Sequence, residues 1–432
     1  MAVIGIDLTP LQTGHKMRGI GSTALNIMIN IPQEDKKRHT FIVFLYPRDV
    51  SDILRSIDST SFDNLIIRQI EEYPAAYPPL KSLDGIKAIP RRYKDYRDSR
   101  RLGTRRITDT DDIDVFLQFE QDVIPPRSVK TITIAYDLIP YILEPDYLWN
   151  YSTARHAYHY SRRGAVLCQL RRNAYLGNIR TVMKRSSKIL AISKQTRHDF
   201  IKYTKVSDQK ISLCYLGVSP KATASPTKPH HVIRYTGTQW GDIQSKESLP
   251  TNQFLLFVGG LDARRRINTL VGAFNQLRAR GYPLNLVLAG DTMNGPNSVP
   301  NQIVKESLIN SSYLDDIYML GYVDDTTRDW LYKNALAFVY PTKYEGFGLP
   351  VLEALRYGTH VITSQNSSLI EITDASVDFI DSSERICEKV IELLTIKGTD
   401  EADQREKRKE SAEKFTWAST STTVMLEIKK LL

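Results

Sequence analysis

Short apolar runs recur along the whole chain, separated by stretches in which apolar residues fall three and four apart. This alternation predicts strands joined by helices. The first run is Val3-Ile4-Gly5-Ile6. Arg18-Gly19-Ile20-Gly21 follows it and residues 22–29 have helical spacing, so the chain opens as strand, glycine loop, helix. Residues 41–45, 65–67, 115–117, 131–135 and 188–193 predict further strands. The helices between them include residues 158–183 and a segment running through Phe200. From Gly217 to Asn252 the periodicity fades and Pro220, Pro226, Pro229 and Pro250 break the chain, which predicts a linker. A second strand-helix series follows, with strands at residues 254–258, 284–289, 317–320, 336–340 and 361–363. The expected fold class is α/β, with two doubly wound, Rossmann-like domains facing a cleft. Their expected limits are 1–218 for the N-terminal domain, 219–250 for the linker, 251–415 for the C-terminal domain and 416–432 for a closing helix.

A length of 432 residues exceeds one ordinary core and agrees with two domains. No stretch reaches the ~18 consecutive apolar residues that a membrane span needs. The N-terminus lacks a basic segment and meets Asp7 within its first strand, so it does not read as a signal peptide. Cys168, Cys214 and Cys387 are scattered, fit no metal-ligand spacing and suit a reducing cytoplasm. The formal net charge of +9 favours phosphate-rich partners: nucleic acid, anionic lipid or a nucleotide-linked substrate. Part of the excess crowds residues 80–106, where Arg91, Arg92, Lys94, Arg97 and Arg100 interleave with Leu83, Ile86, Tyr93 and Tyr96. Such a stretch fits either an anionic membrane surface or a solvated face.

The most informative segment is bracketed by two carboxylates, Glu345 and Glu353. It follows an apolar run directly and precedes a helix-like stretch, so it reads as a strand-to-helix turn at the carboxyl edge of a parallel sheet. Ligands of open α/β sheets bind there. Gly346 and Gly348 allow close backbone approach, and the start of the next helix offers N–H groups to an anion. A carboxylate at each end accepts hydrogen bonds from hydroxyls. Phosphate held by backbone and hydroxyls held by acids describe a sugar nucleotide.

Pro341-Thr342-Lys343-Tyr344-Glu345-Gly346-Phe347-Gly348-Leu349-Pro350-Val351-Leu352-Glu353-Ala354 resembles the E-x7-E signature of the retaining family-4 (group 1) glycosyltransferases, whose fold is GT-B. Gly259-Gly260-Leu261-Asp262-Ala263-Arg264-Arg265 is similar to the family's Gly-x-Leu-x-Pro-Arg-Lys motif, with Ala263 replacing proline and Arg265 replacing lysine. The resemblance implies that Arg264 and Arg265 grip the donor diphosphate, that Glu345 acts at the sugar and that Glu353 accepts the ribose hydroxyls. It assigns backbone contacts to Phe347, Gly348 and Leu349, and a close phosphate approach to Gly19. Tyr322 and Val323 match the segment beside the nucleobase, and Ala289-Gly290-Asp291 the loop next to it. Tyr136 stands where many relatives carry histidine, and Asp137 either orients the acceptor or caps a turn. Ser367-Ser368-Leu369-Ile370-Glu371 resembles a supporting element, and Lys414-Phe415-Thr416-Trp417 the segment that returns to the first domain.

The implied activity is hexose transfer with retained configuration from a nucleoside-diphosphate sugar, with a lean to GDP-mannose, onto a glycan or lipid-linked acceptor in polysaccharide or glycolipid assembly. No cofactor and no metal are expected. Asp112-Ile113-Asp114 reads as solvated acids rather than a metal site, and His230-His231 lacks matched carboxylates. The expected location is cytoplasmic, either free or peripheral on the inner face of the membrane. The rival readings are a nucleotide-sugar epimerase of the same fold, an inactive sugar-nucleotide binder prompted by Tyr136, and, less favoured, a nucleic-acid binder.

Overall fold

The computed structural model describes residues 1–16, 19–70, 107, 109–147, 149–219, 232–235, 244–247, 253–290, 299–374, 377–395 and 399–432. The basic stretch 80–106, Arg18, His230, His231 and Asp291 lie outside the described residues. The chain forms two compact units, one of Met1–Tyr141, Leu148–Gly217 and Thr416–Leu432, the other of Ile142–Tyr147 and Val218–Phe415.

The first unit is built on strands β1 (Val3–Asp7), β2 (Thr40–Leu45), β3 (Leu65–Gln69), β4 (Val115–Gln118), β5 (Lys130–Ala135), β6 (Lys188–Ala191) and β7 (Ile211–Leu213). They form one seven-stranded sheet in the order β3-β2-β1-β4-β5-β6-β7. Every pairing is parallel. Helices on both faces leave no solvated side to the central strands, which is why β2 is apolar and buried throughout rather than alternating. Phe44 and Phe116 meet edge to face at 5.7 Å beside Ile42 and Ile113 in its core. The terminal helix Trp417–Leu431 belongs to this unit. Ser421 Oγ donates to Ile27 O at 3.0 Å and Thr420 Oγ1 to Tyr215 O at 2.8 Å.

The acids ahead of β4 are occupied structurally. Asp114 Oδ2 accepts from Val3 N at 2.8 Å, and Asp112 Oδ2 pairs with Arg68 Nη2 at 2.8 Å. Among the described residues no group of three His, Cys, Asp or Glu side chains could hold a metal ion. No described helix is long and apolar enough to cross a membrane.

Where fading periodicity predicts only a linker, β8 (Val232–Tyr235) and β9 (Gln244–Glu247) pair antiparallel. Four residues are too few for periodicity to reveal, and Gln244-Ser245-Lys246-Glu247 is wholly polar. The second unit then repeats the first in outline with β10 (Phe254–Val258), β11 (Asn285–Ala289), β12 (Ile317–Gly321), β13 (Ala337–Tyr340), β14 (Val361–Ser364) and β15 (Val377–Ile380). Their order is β12-β11-β10-β13-β14-β15, all parallel. In each unit the direction of winding reverses beside the first strand, between β1 and β4 and between β10 and β13.

Candidate active site

The reversal between β10 and β13 sets the loops that leave those strands next to each other at the carboxyl edge, where doubly wound sheets bind ligands. The β10 loop carries Arg264 and Arg265 on the short turn Ala263–Arg265. Asp262 anchors that turn. Its Oδ1 accepts from Arg264 N at 2.9 Å, and its Oδ2 lies 3.3 Å from Arg264 Nε and 2.7 Å from the Tyr147 hydroxyl.

The β13 loop carries Glu345, which is 7% exposed. Three side chains donate to its Oε1: the Tyr340 hydroxyl at 2.9 Å, Thr342 Oγ1 at 3.1 Å and Arg264 Nη1. None of these bonds reaches Oε2. Arg264 Nη1 also donates to Tyr344 O at 2.8 Å. Burial works against the charge on Arg264, but Glu345 and then Asp262 outweigh it and hold the guanidinium well above its usual pKa. Burial likewise raises the Tyr340 phenol, with Glu345 adding to the shift and Arg265 opposing it, so this hydroxyl remains a donor.

Arg265 is differently placed. Its Nη1 donates to Gly260 O at 3.2 Å and its guanidinium stands 5.8 Å from the Tyr340 ring centre. Its buried Nε lies 4.0 Å from Glu345 Oε1 and has no hydrogen-bond partner among the described residues. Gly259 makes room for this side chain. With φ at +144°, a Cβ there would sit 2.0 Å from Arg265 Nη1.

Gly348 has φ +108° and begins the turn into helix Leu349–Arg356. A Cβ at Gly348 would meet Leu369 Cδ2 at 2.6 Å and Ile372 Cδ1 at 2.9 Å, so only glycine fits. Two serines clamp the loop. Ser367 Oγ accepts from Glu345 N at 2.9 Å, while Ser368 Oγ donates to Glu345 O at 2.9 Å and Phe347 O at 2.8 Å. Leu349 and Pro350 open the helix, a position that suits proline because its missing N–H has no intrahelical partner.

Glu353 lies further along this helix and accepts from the Tyr332 hydroxyl at 2.9 Å. Its charge is foremost among those that raise the Arg328 pKa against the opposing effect of burial. Each glutamate is therefore held by a buried tyrosine, and the rings run in series, Tyr332 to Phe338 at 5.4 Å and Phe338 to Tyr340 at 5.5 Å. Neither tyrosine stands out in the sequence, because both occupy ordinary apolar positions of a helix and a strand. At the neighbouring strand ends Gly290 N donates to Gly321 O at 2.6 Å, after which Tyr322 is 62% exposed and Val323 half-buried.

Gly19, Tyr136 and Asp137 belong to the first unit. Gly19 heads helix Gly19–Ile29 with open space around its Cβ position, whereas a Cβ at Gly21 would lie 2.5 Å from His15 O. Gly21 is thus the sterically obligatory glycine of the loop. Tyr136 is buried, and burial pushes its phenol far above the ordinary range, so it cannot serve as a base near neutral pH. Asp137 Oδ1 accepts from Ile139 N at 3.0 Å, a turn-capping bond.

These doubly wound sheets define a class by their fold: the chain has the GT-B architecture. The crystal structure of a glycosyltransferase from Rickettsia africae aligns over 100% of this chain and 98% of its own with a TM-score of 0.61 at 15% identity. Anabaena HepE in complex with UDP and glucose aligns over 99% of each chain with a TM-score of 0.60 at 11% identity. Residues 239–415 match the family described as glycosyl transferases group 1. This chain resembles that family over that span, which lies within its second unit. It is 26% identical to the serotype-specific mannosyltransferase WbdA of Escherichia coli over 99% of its own length, which is only 48% of that relative.

Proposed function

We propose that this chain is a retaining hexosyltransferase that takes a hexose from a nucleoside-diphosphate sugar and passes it to a glycan or lipid-linked acceptor during polysaccharide assembly. The carrying observation is the asymmetry of the two arginines at the strand-order reversal. Arg264 is engaged by Glu345 and Asp262, while the adjacent Arg265 keeps a buried Nε without a partner among the described residues. In this reading Arg265 faces the diphosphate and offsets the charge that grows on it as it departs. Glu345, its Oε1 filled and its Oε2 reached by none of those three donors, receives hexose hydroxyls and stabilises positive character at the anomeric carbon. Phe347, Gly348 and Leu349 supply backbone N–H groups, and Glu353 accepts the ribose hydroxyls.

The bond from the anomeric carbon to the phosphate oxygen breaks and a bond to the acceptor oxygen forms on the same face. The acceptor proton leaves with the phosphate. No side-chain base and no metal enter the scheme, and the buried, neutral Tyr136 agrees with a mechanism that needs no base at that position. The name of the E. coli relative favours mannose, and hence GDP-mannose, as the donor. The relatives reported above offer no support for epimerisation. We place the chemistry in the cytoplasm, at the inner membrane face where lipid-linked acceptors are held.

Incubating the full chain with GDP-mannose and a lipid-linked mannan acceptor should yield GDP and an α-linked product, read by NMR at the anomeric proton. Formation of a new nucleotide sugar without consumption of acceptor would reassign the chain as an epimerase. A β-linked product would exclude retention.

A further inference from the structure

Helix Arg162–Arg185 of the first unit carries apolar side chains on two opposite faces. Inward, Ala165, Leu176, Ile179, Val182 and Met183 are buried. At ~100° per residue, the opposite face is that of Val166, Leu167 and Leu170. These three are 47%, 62% and 56% exposed. Single exposed leucines are ordinary on a protein surface, but three on adjoining turns of one helix make a continuous apolar strip.

Aromatic rings extend the strip at its start. Tyr160, 42% exposed, lies against Gly164, and Trp149 meets it edge-on at 5.3 Å. The helix's own charge has one sign. The helix holds seven Arg and Lys residues and no Asp or Glu, with Arg162, Arg163 and Arg171 flanking the apolar positions. Further along, Arg180 and Lys184 border a groove of about 940 Å³ that Arg127 and Lys130 also line.

We propose that this helix is an interfacial element that docks the first unit on an anionic lipid bilayer, with Val166, Leu167 and Leu170 entering the headgroup boundary and the flanking arginines meeting lipid phosphates. The proposal deepens the membrane-side reading above by naming the surface. Charge selects the occupant. A protein partner would have to match an apolar strip flanked by the helix's own arginines, whereas an anionic leaflet presents apolar depth beneath negative headgroups everywhere. Arginine and lysine stems also lie along apolar surface while their heads reach the phosphates.

The test is flotation of the full chain with vesicles of phosphatidylcholine alone or mixed with phosphatidylglycerol. The wild type should float with the mixed vesicles only, and raising salt from about 0.1 M to about 1 M should weaken but not abolish binding, because screening removes the ionic part alone. Leu167→Ser combined with Leu170→Ser should lower apparent affinity by about tenfold. Arg163→Gln with Arg171→Gln should lower it several-fold and flatten the salt response. All four side chains are exposed, so thermal unfolding should be unchanged, and nucleotide-induced thermal shifts should match the wild type. Those shifts report on the donor reading separately from this one. Failure of the wild type to float, or apolar variants that float as it does, would overturn the proposal. So would sedimentation showing a wild-type dimer that the leucine substitutions dissolve, which would make the strip a contact between copies.

Discussion

Arg264→Met isolates the interaction on which the β13 loop depends. The guanidinium and the Glu345 carboxylate are 12% and 9% exposed, so the pair sits largely outside solvent screening. Methionine roughly preserves the volume but removes the nearer cation from the carboxylate, with Arg265 Nε remaining at 4.0 Å, and one of the donors to Tyr344 O. Breaking a buried pair from one side costs about 3–5 kcal/mol. Tyr340 and Thr342 still donate to Oε1, which places the expectation near the lower bound. For a unit of this size each kcal/mol moves Tm by about 2–4 °C, so the second unit should melt about 6–12 °C lower. Differential scanning calorimetry of the full chain reads this directly, with the first unit's transition as an internal reference. In the double variant Arg264→Met with Glu345→Gln, the two losses should fall short of additive by at least about 1 kcal/mol. A shift below about 2 °C, or strict additivity, would refute the idea that the pair holds this loop.

Three further outcomes follow from the same geometry. Gly348→Ala combines a left-handed backbone costing about 1–2 kcal/mol with overpacking costing about 1–3 kcal/mol, so urea denaturation should show a loss of about 2–5 kcal/mol. Tyr332→Phe removes the donor to Glu353 and should weaken nucleoside-diphosphate binding about fivefold with little change in kcat, measured by titration calorimetry and steady-state kinetics. Asp378 is held below the usual carboxylate range, first by its hydrogen bond from His360 at 2.6 Å and further by Lys389 at 3.3 Å. A depressed folded pKa means that its stabilisation is complete above the unfolded value near ~3.9 and disappears as pH falls through the folded value. The stability gap between wild type and Asp378→Asn should therefore be constant from about pH 7 to pH 5 and close below about pH 4.

The fold was legible because buried parallel strands are apolar along their whole length, as in Phe254-Leu255-Leu256-Phe257-Val258, and such runs punctuate helical spacing unambiguously. Strands β7 and β15 escaped that reading because they sit at sheet edges, are only three and four residues long, and mix polar with apolar residues. The pairing of β8 with β9 escaped it for the same reason.

At the site, the sequence pointed to Glu345, Glu353, Arg264 and Arg265 but treated the arginines alike. Their difference arises from Asp262 and Glu345, which are two and eighty-one residues from Arg264, and only the second of those separations needs a fold to close it. Tyr332 and Tyr340 were hidden because a tyrosine in an apolar run reads as core, and burial alone decides whether its hydroxyl becomes a donor. Asp137 was left between two roles, and its bond to Ile139 N supplies a turn-capping one.

Titration calorimetry of the full chain with GDP, UDP, ADP and dTDP tests the central claim most directly, repeated on Arg265→Met and Glu353→Ala. One nucleoside diphosphate should bind the wild type, and each substitution should weaken it by about tenfold or more, Arg265→Met through the diphosphate and Glu353→Ala through the ribose. Absence of binding by all four, or equal affinity in wild type and both variants, would contradict a donor site at the β10 and β13 loops.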